Sequence, residues 1–323
     1  MGGIATLEVL EPGPLTTIQD LGRYGFGRYG VPPSGALDTF ALRAANLLVG
    51  NPEGEAGLEI TLMGLKVKAR ADVVVAIGGG DLRPVINEKP AELWRSYILK
   101  KGDTLHFKGP RTGCRAYLAV GGGLGSQAVL ESRSTNLSSG FGGYEGRPLR
   151  RKDILFSDSP QDFLKLGGRA LALEEIPPYR KDWTLRILFG PQDVDFPEES
   201  RNVFLASPFR VSPDSDRTGI RLSGPAVFRK QGTAESIISE GVVPGTIQIP
   251  GDAQPIIILS ETITGGYRKI ATVISADLFL LGQIKPGDQV EFQRVNLREA
   301  LQALEDMEER IRVFRQRLSR ISS

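Results

Sequence analysis

The sequence predicts a mainly β protein: two β-barrel domains in series, a few short helices and one long C-terminal helix. Three observations predict it. Glycine (39) and proline (21) make up nearly a fifth of the 323 residues, where about 12% is usual, so many turns join short strands. A strand–turn unit occurs twice, as KKGDTLHF (Lys100–Phe107) and KPGDQVEF (Lys285–Phe292), one in each half of the chain. In each, Gly-Asp makes the turn and alternation resumes with an inward Phe. Thirdly, no glycine or proline follows Gly287, and Asn296–Ser323 carries apolar residues at three–four spacing, the mark of a helix.

Taken in order, SGALDTFALRAANLLVGNP is the one clear helix of the first half, with Ser34 as N-cap, Asp38 in the first turns and Gly50 past its end. Its apolar stripe is Leu37, Ala41, Ala44 and Leu48. Leu65–Ala69 alternates as a half-buried strand. Asp72–Ile77 and Ala116–Val120 are buried strands, ending at Gly78–Gly80 and Gly121–Gly123. Those glycine runs lack the GxxxxGK[ST] pattern and a following helix, so they are expected to turn barrel corners, not to cradle phosphate. The charged Pro-Pro segment Glu174–Asp182 precedes a fresh strand, Leu185–Phe189. The expected domains are therefore residues 1–180, 181–295 and the helix 296–323. The helix seam runs through Leu297, Ala300, Leu304, Met307, Ile311, Phe314, Leu318 and Ile321. It suits packing on the chain's own barrels or docking on a partner or second copy.

Composition excludes several functions. Forty basic and 38 acidic residues leave a formal charge of +2, a poor match to nucleic acid or an anionic membrane. One cysteine (Cys114) and one histidine (His106) rule out an internal disulfide and a Cys/His zinc site. No metal site is expected. The chain opens without a basic, apolar leader and has no run long enough to span a bilayer, so a cytoplasmic protein is expected.

Three polar clusters remain. Thr16–Gly35 carries Gln19, Asp20 and Arg23 beside aromatics on glycine hinges, residues able to wrap a small polar ligand. The plain alternative is a surface loop. SPDSDRTGIRLSG holds Asp216, Arg217 and Arg221; a strand beginning at Gly219 puts Arg221 and Gly219 on one face. Arginine forks match carboxylate or phosphate, and Asp216 suits a base. The alternative is an exposed ion pair of little worth. The densest cluster, Ser239–Asp277, combines Glu240, Gln248, Glu261, Thr264, Gly265, Gly266, Tyr267 and Lys269. Its Thr-Gly-Gly-Tyr loop offers a hydroxyl, bare amides, an aromatic face and an amine, a set for a small amide, carboxylate or phosphate. The alternative is a hairpin with Tyr267 in the core.

These clusters, in this order, resemble the KipA / allophanate hydrolase subunit 2 family. The resemblance spans nearly the whole chain and includes PGPLTTIQDLGRYG (Pro12–Gly25), GVPPSGALDTFAL (Gly30–Leu42), SRSTNL (Ser132–Leu137), FGPQ (Phe189–Gln192), VSPDSDRTGIRL (Val211–Leu222), ISEGVVPGTIQIP (Ile238–Pro250) and TGGYRKIATVISADL (Thr264–Leu278). It departs from the family at Thr218 (methionine expected), Glu261 (aspartate), Arg268 (proline) and Glu131 (glycine).

The resemblance implies two cyclophilin-like barrels and a biotin-dependent carboxyltransferase or ATP-dependent 5-oxoprolinase assembly. In the latter, the chain is a C subunit acting with a KipI-like B subunit and a LamB/YcsF-like A subunit, and ATP, with magnesium, is shared among them. Asp216, Glu240 and Lys269 would be catalytic. Arg217, Arg221, Gln248, Thr264, Gly265, Gly266, Tyr267, Gln19, Asp20 and Arg23 would bind a small amide or lactam. In the carboxyltransferase reading, biotin arrives on another chain, since Met1, Met63 and Met307 frame no Met-Lys-Met acceptor. A third reading is non-enzymatic antagonism of a KipI-like kinase inhibitor.

Overall fold

The computed structural model describes residues 3–321, with side-chain surroundings to Arg320. Two compact units emerge. The chain through Gly25, Ser34–Tyr179 and the residues from Glu309 on form the first; Phe26–Pro33 and Arg180–Glu308 form the second. The mainly β expectation holds in both. Met1 and Ser323, the expected outer bounds, lie outside the described residues, as does the side chain of Ile321.

The first unit contains β1 (Ile4–Pro12), β2 (Leu15–Gln19), α1 (Thr39–Val49), β3 (Gly57–Thr61), β4 (Leu65–Ala69), β5 (Val73–Asp81), β6 (Pro84–Ile86), β7 (Lys89–Pro90), β8 (Arg95–Leu99), β9 (Thr104–Phe107), β10 (Thr112–Val120) and β11 (Ile154–Ser157). Two antiparallel sheets form, in the orders β11-β1-β4-β9-β6-β7 and β2-β3-β10-β5-β8. Their inner faces share one core, with Leu7, Val67, Phe107 and Leu155 from the first and Leu58, Val75, Ile77 and Leu118 from the second.

Helix α1 packs on β5 and β10. Burial on both faces explains the continuous apolar run of β5. Gly78–Gly80 do not end that strand, contrary to the sequence expectation; they continue it. A Cβ on Gly78 would lie 2.9 Å from the Ala41 carbonyl oxygen, so its absence lets the helix approach the sheet. Gly79 has φ +88° where the β5–β10 register shifts, a bulge that favours glycine.

The α1 cap also differs from expectation. Asp38, not Ser34, is the N-cap: its Oδ1 accepts from the Ala41 amide at 2.8 Å. Ser34 instead sits at φ +53° and accepts from Asn136 Nδ2. The Asp38 Oδ2 accepts from Tyr179 Oη at 2.6 Å, and the Asp38 amide donates to Tyr117 Oη at 2.8 Å. Tyr117 in turn donates to Glu59 at 2.7 Å. Burial, then the nearby carboxylates, pushes both phenols well above their ordinary pKa, which keeps them protonated donors.

The second unit contains β12 (Asp182–Phe189), α2 (Glu198–Ala206), β13 (Phe209–Val211), β14 (Gly219–Ser223), β15 (Ser236–Gly241), β16 (Thr246–Ile249), β17 (Ile256–Ile258), β18 (Thr264–Val273) and β19 (Gln289–Arg294); α3 (Leu297–Ile321) follows, its residues through Glu308 belonging to this unit and those from Glu309 on to the first. Seven strands close a barrel in the order β12-β19-β13-β14-β17-β16-β18 and back to β12; β15 adds to β18. The β12–β19 pair is parallel and the other ladders are antiparallel. Phe204 of α2 stacks on Phe292 at 4.4 Å between centroids and lies 6.1 Å from Phe209.

The repeated turn has one geometry in both units. Asp103 Oδ2 accepts from the Lys100 amide at 2.7 Å, and Asp288 Oδ2 from the Lys285 amide at 3.2 Å. Phe107 and Phe292 are both buried, as alternation predicts.

Helix α3 opens with a reciprocal cap: Asn296 and Glu299 each accept from the other's amide, at 3.0 and 2.7 Å. Its seam is covered by the chain itself. Ala300 and Leu304 pack with Ile274 and Ala276 in the second unit. Ile311, Phe314 and Leu318 are buried in the first, where Arg315 and Arg317 pair with Glu53 and Glu175. Only Leu297, at the helix start, stays exposed among the described seam residues. Of the two readings the spacing allowed, packing on the chain's own residues is the one seen at Ala300, Leu304, Ile311, Phe314 and Leu318. No described helix is long and apolar enough to cross a membrane.

Two outcomes follow. Phe314→Ala lowers unfolding free energy in urea by about 3–5 kcal/mol, since the ring is 1% exposed. Asp38→Ala costs about 1–2 kcal/mol for the cap alone and more for the stranded Tyr179 hydroxyl, whereas Ser34→Ala costs less, read by the same titration.

Candidate functional site

The polar residues of the densest cluster meet on β15, β16 and β18. TGGY is not a loop, as expected from its glycines; it begins β18, because β15 supplies a hydrogen-bonding partner. The register sets Glu240 opposite Gly265, Thr264 opposite Gly241, and Gln248 opposite Lys269. Lys269 is buried, and its Nζ donates to Glu240 Oε1. Gln192, just beyond β12, joins them: its Nε2 donates to the same Glu240 oxygen at 2.8 Å, and its Oε1 accepts from the Lys269 amide at 3.0 Å. The hydrogen bond from Lys269, then that from Gln192, holds the Glu240 carboxyl below its ordinary pKa.

Gln248 is 3% exposed, and its Nε2 has no hydrogen-bond partner. Gly265 makes room for it: a Cβ there would stand 2.2 Å from Nε2. Tyr267 is 39% exposed, so it does not fill the core, and Thr264 is exposed.

The SDR block resolves into separate jobs. Asp216 Oδ1 accepts from the amides of Thr218 and Gly219 at 2.7 and 3.1 Å, so this exposed carboxylate builds a turn. Arg217 and Glu261 form a buried pair, with Nε and Nη2 at 3.3 and 3.2 Å from Oε1. Glu261, one methylene longer than the aspartate of the family pattern, makes that contact. Arg221 is exposed on β14, while its neighbours Ile220 and Leu222 point inward; this is the alternation expected. Arg268, where proline was expected, pairs with Asp195 and donates from Nε to the Ala234 carbonyl at 3.2 Å.

Gln19, Asp20 and Arg23 lie in the first unit and are committed to internal partners. Gln19 donates to Thr17 Oγ1 and the Thr135 carbonyl and accepts from the Gly35 amide. Asp20 accepts from Ser132 Oγ (2.7 Å), Ser134 Oγ (2.5 Å) and the amides of Gly22 and Arg133. Arg23 donates to the Ser134 carbonyl and lies 4.8 Å over the Phe141 ring. These side chains hold the SRST loop in shape. Glu131, where glycine was expected, sits before it at φ +63°, a left-handed position that favours glycine.

Sequence reading missed Gln192 as a site residue, though FGPQ stood among the family-like blocks. A glutamine three residues beyond a strand carries no local signal of its own. Its role appears only when β12 pairs with β18.

The family profile described as "Carboxyltransferase domain, subdomain A and B" matches residues 29–294. The chain is 38% identical over 308 residues to the C subunit of the 5-oxoprolinase of Escherichia coli (strain K12), covering 94% of this chain and 95% of that protein. It is 36% identical to the urea amidolyase of Lachancea kluyveri over 93% of this chain but 17% of that one. The crystal structure of the K. lactis urea amidolyase superposes with a TM-score of 0.91 at 32% identity, over 97% of this chain and 20% of that one. Matched from Tyr29 to Arg294 by that profile and along nearly its full length by the bacterial protein, the chain belongs to the family of the carboxyltransferase domain, subdomains A and B.

Proposed function

We propose that this chain is the C subunit of an ATP-dependent 5-oxoprolinase, which opens 5-oxoproline to glutamate in a complex with KipI-like B and LamB/YcsF-like A subunits in the cytoplasm. The observation that carries the reading is the cluster around Gly265: a held carboxylate (Glu240), a buried amine (Lys269) and an unpaired buried amide donor (Gln248). Similarity to the C subunit of a bacterial 5-oxoprolinase over 95% of that protein's length supports it.

A lactam resists water because its nitrogen lone pair is delocalised into the carbonyl. Transfer of the γ-phosphoryl group of ATP to the lactam oxygen, with release of ADP, makes that carbon electrophilic. One water then adds and the C–N bond breaks, its nitrogen taking up protons, which leaves an acyl phosphate. A second water releases phosphate and gives glutamate. Lys269 and Arg221 offer positive charge to the substrate carboxylate or transferring phosphoryl group. Glu240 moves protons at the ring nitrogen. Thr264, Gly266 and Tyr267 line the approach. Arg217 acts through Glu261, and Asp216 shapes the turn before β14. Among the described residues no three of His, Cys, Asp and Glu converge as a metal-ligand set; ATP and magnesium are assigned to the complex as a whole.

A second reading follows from the carboxyltransferase profile and the urea amidolyase superposition: carboxyl transfer to a urea-like amide, with biotin carried on another chain. One experiment separates the two. The complex purified with its partners should form ADP and glutamate from ATP and 5-oxoproline. Turnover of urea and bicarbonate that avidin abolishes would establish the second reading instead. Binding to a KipI-like partner that survives Glu240→Gln, with no turnover of either substrate, would leave only antagonism of a kinase inhibitor.

The Glu240–Lys269 contact sets a pH limit. Its folded pKa lies below the unfolded value, so the ion pair is fully present above the unfolded value and is lost as pH falls through the folded one. The acid limb of kcat/KM is therefore expected below the usual glutamate range near about 4.3. Lys269→Met moves that limb to higher pH; an unmoved limb would exclude Glu240 as the titrating group.

A further inference from the structure

We propose that Gln248 and Glu240 form a donor–acceptor pair that reads the syn edge of an amide, the edge on which N–H and C=O point the same way. The inference rests on the lactam reading above and narrows it, because it makes amide geometry the property selected. Gln248 Nε2 is a buried donor without a partner, a costly state that folding alone gives no reason to keep. It faces the bare Cα of Gly265. Glu240 stands opposite that glycine in the β15–β18 ladder. Its Oε1 takes both Lys269 and Gln192, and Oε2 accepts from no described residue. One free donor and one free acceptor therefore flank the same glycine.

A five-membered lactam must hold N–H and C=O syn, and urea and primary amides present the same edge. A trans secondary amide, the form of nearly every peptide bond, sets the two groups on opposite sides. Esters and N-methylated lactams lack the N–H. Gln248 would donate to the carbonyl oxygen and Glu240 Oε2 would accept from the N–H. Gln192 is a positioning residue, and Lys269 positions the same carboxylate in addition to offering its charge: by occupying Oε1 they leave Oε2 for substrate.

The test uses the assembled complex and ATP-coupled opening of 5-oxoproline and its N-methyl derivative. Wild type should favour 5-oxoproline in kcat/KM by on the order of 100-fold or more, as sites built to bond an N–H reject analogues lacking it. Gln248→Leu should lose about tenfold or more of kcat/KM while its thermal midpoint stays level or rises, because an unpaired buried donor is removed. Gly265→Ala should show the same loss by displacing the amide without deleting it. In the chain alone, the Gln248 side-chain amide resonance, identified by its absence in Gln248→Leu, should move with 5-oxoproline and with urea but not with N-acetylglycine. Equal use of the N-methyl substrate, full activity of Gln248→Leu, or a resonance unmoved by both amides would overturn the proposal. A complex inert toward 5-oxoproline whose Gln248 resonance still moves with urea would remove the lactam activity and leave the amide-edge pair standing.

Discussion

The closing ladder between β12 and β18 is the constraint on which the second unit depends. Pairing Ile187–Phe189 with Ala271–Val273 turns an open sheet into a barrel. It also decides the chemistry. Once Phe189 stands opposite Ala271, the chain leaving β12 passes the start of β18, and Gln192 reaches both the Lys269 amide and Glu240. Closure removes two exposed strand edges and, in the same step, gathers three side chains from distant parts of the sequence.

Glycine has two different jobs along this chain. At Gly78 it gives space to backbone, letting α1 settle against β5. At Gly265 it gives space to a side-chain amide that has no partner. The first serves packing. The second keeps a polar group buried at a cost, and such costs gather where ligands supply what the fold withholds. The contrast explains why glycine content alone marks turns well and sites poorly.

Some of the fold was legible from local pattern. The Gly-Asp turns, the inward Phe107 and Phe292, the strand Leu65–Ala69 and the helix end at Gly50 depend on nearest neighbours, and each stands where pattern puts it. The α1 cap was less so: Ser34 and Asp38 are both good capping residues, and only the Tyr179 and Tyr117 hydroxyls around Asp38 select between them. The site divided similarly. Glu240, Gln248, Gly265 and Lys269 were visible as a dense polar cluster and do converge. Gln19, Asp20 and Arg23 looked equally capable, and each bonds the segment Ser134–Thr135, more than 100 residues away in sequence.

What the sequence determined by itself was the class of fold, the repeated turn, the helical end and the residue types left for chemistry, because periodicity and composition are local properties. What only the tertiary structure decided was which polar residues are free. Arg217 pairs with Glu261 and Asp216 Oδ1 accepts backbone amides, while Gln248 Nε2 is left a donor with nothing to bond. Freedom of that kind depends on strand register and barrel closure, which bring together residues that no spacing in the chain relates.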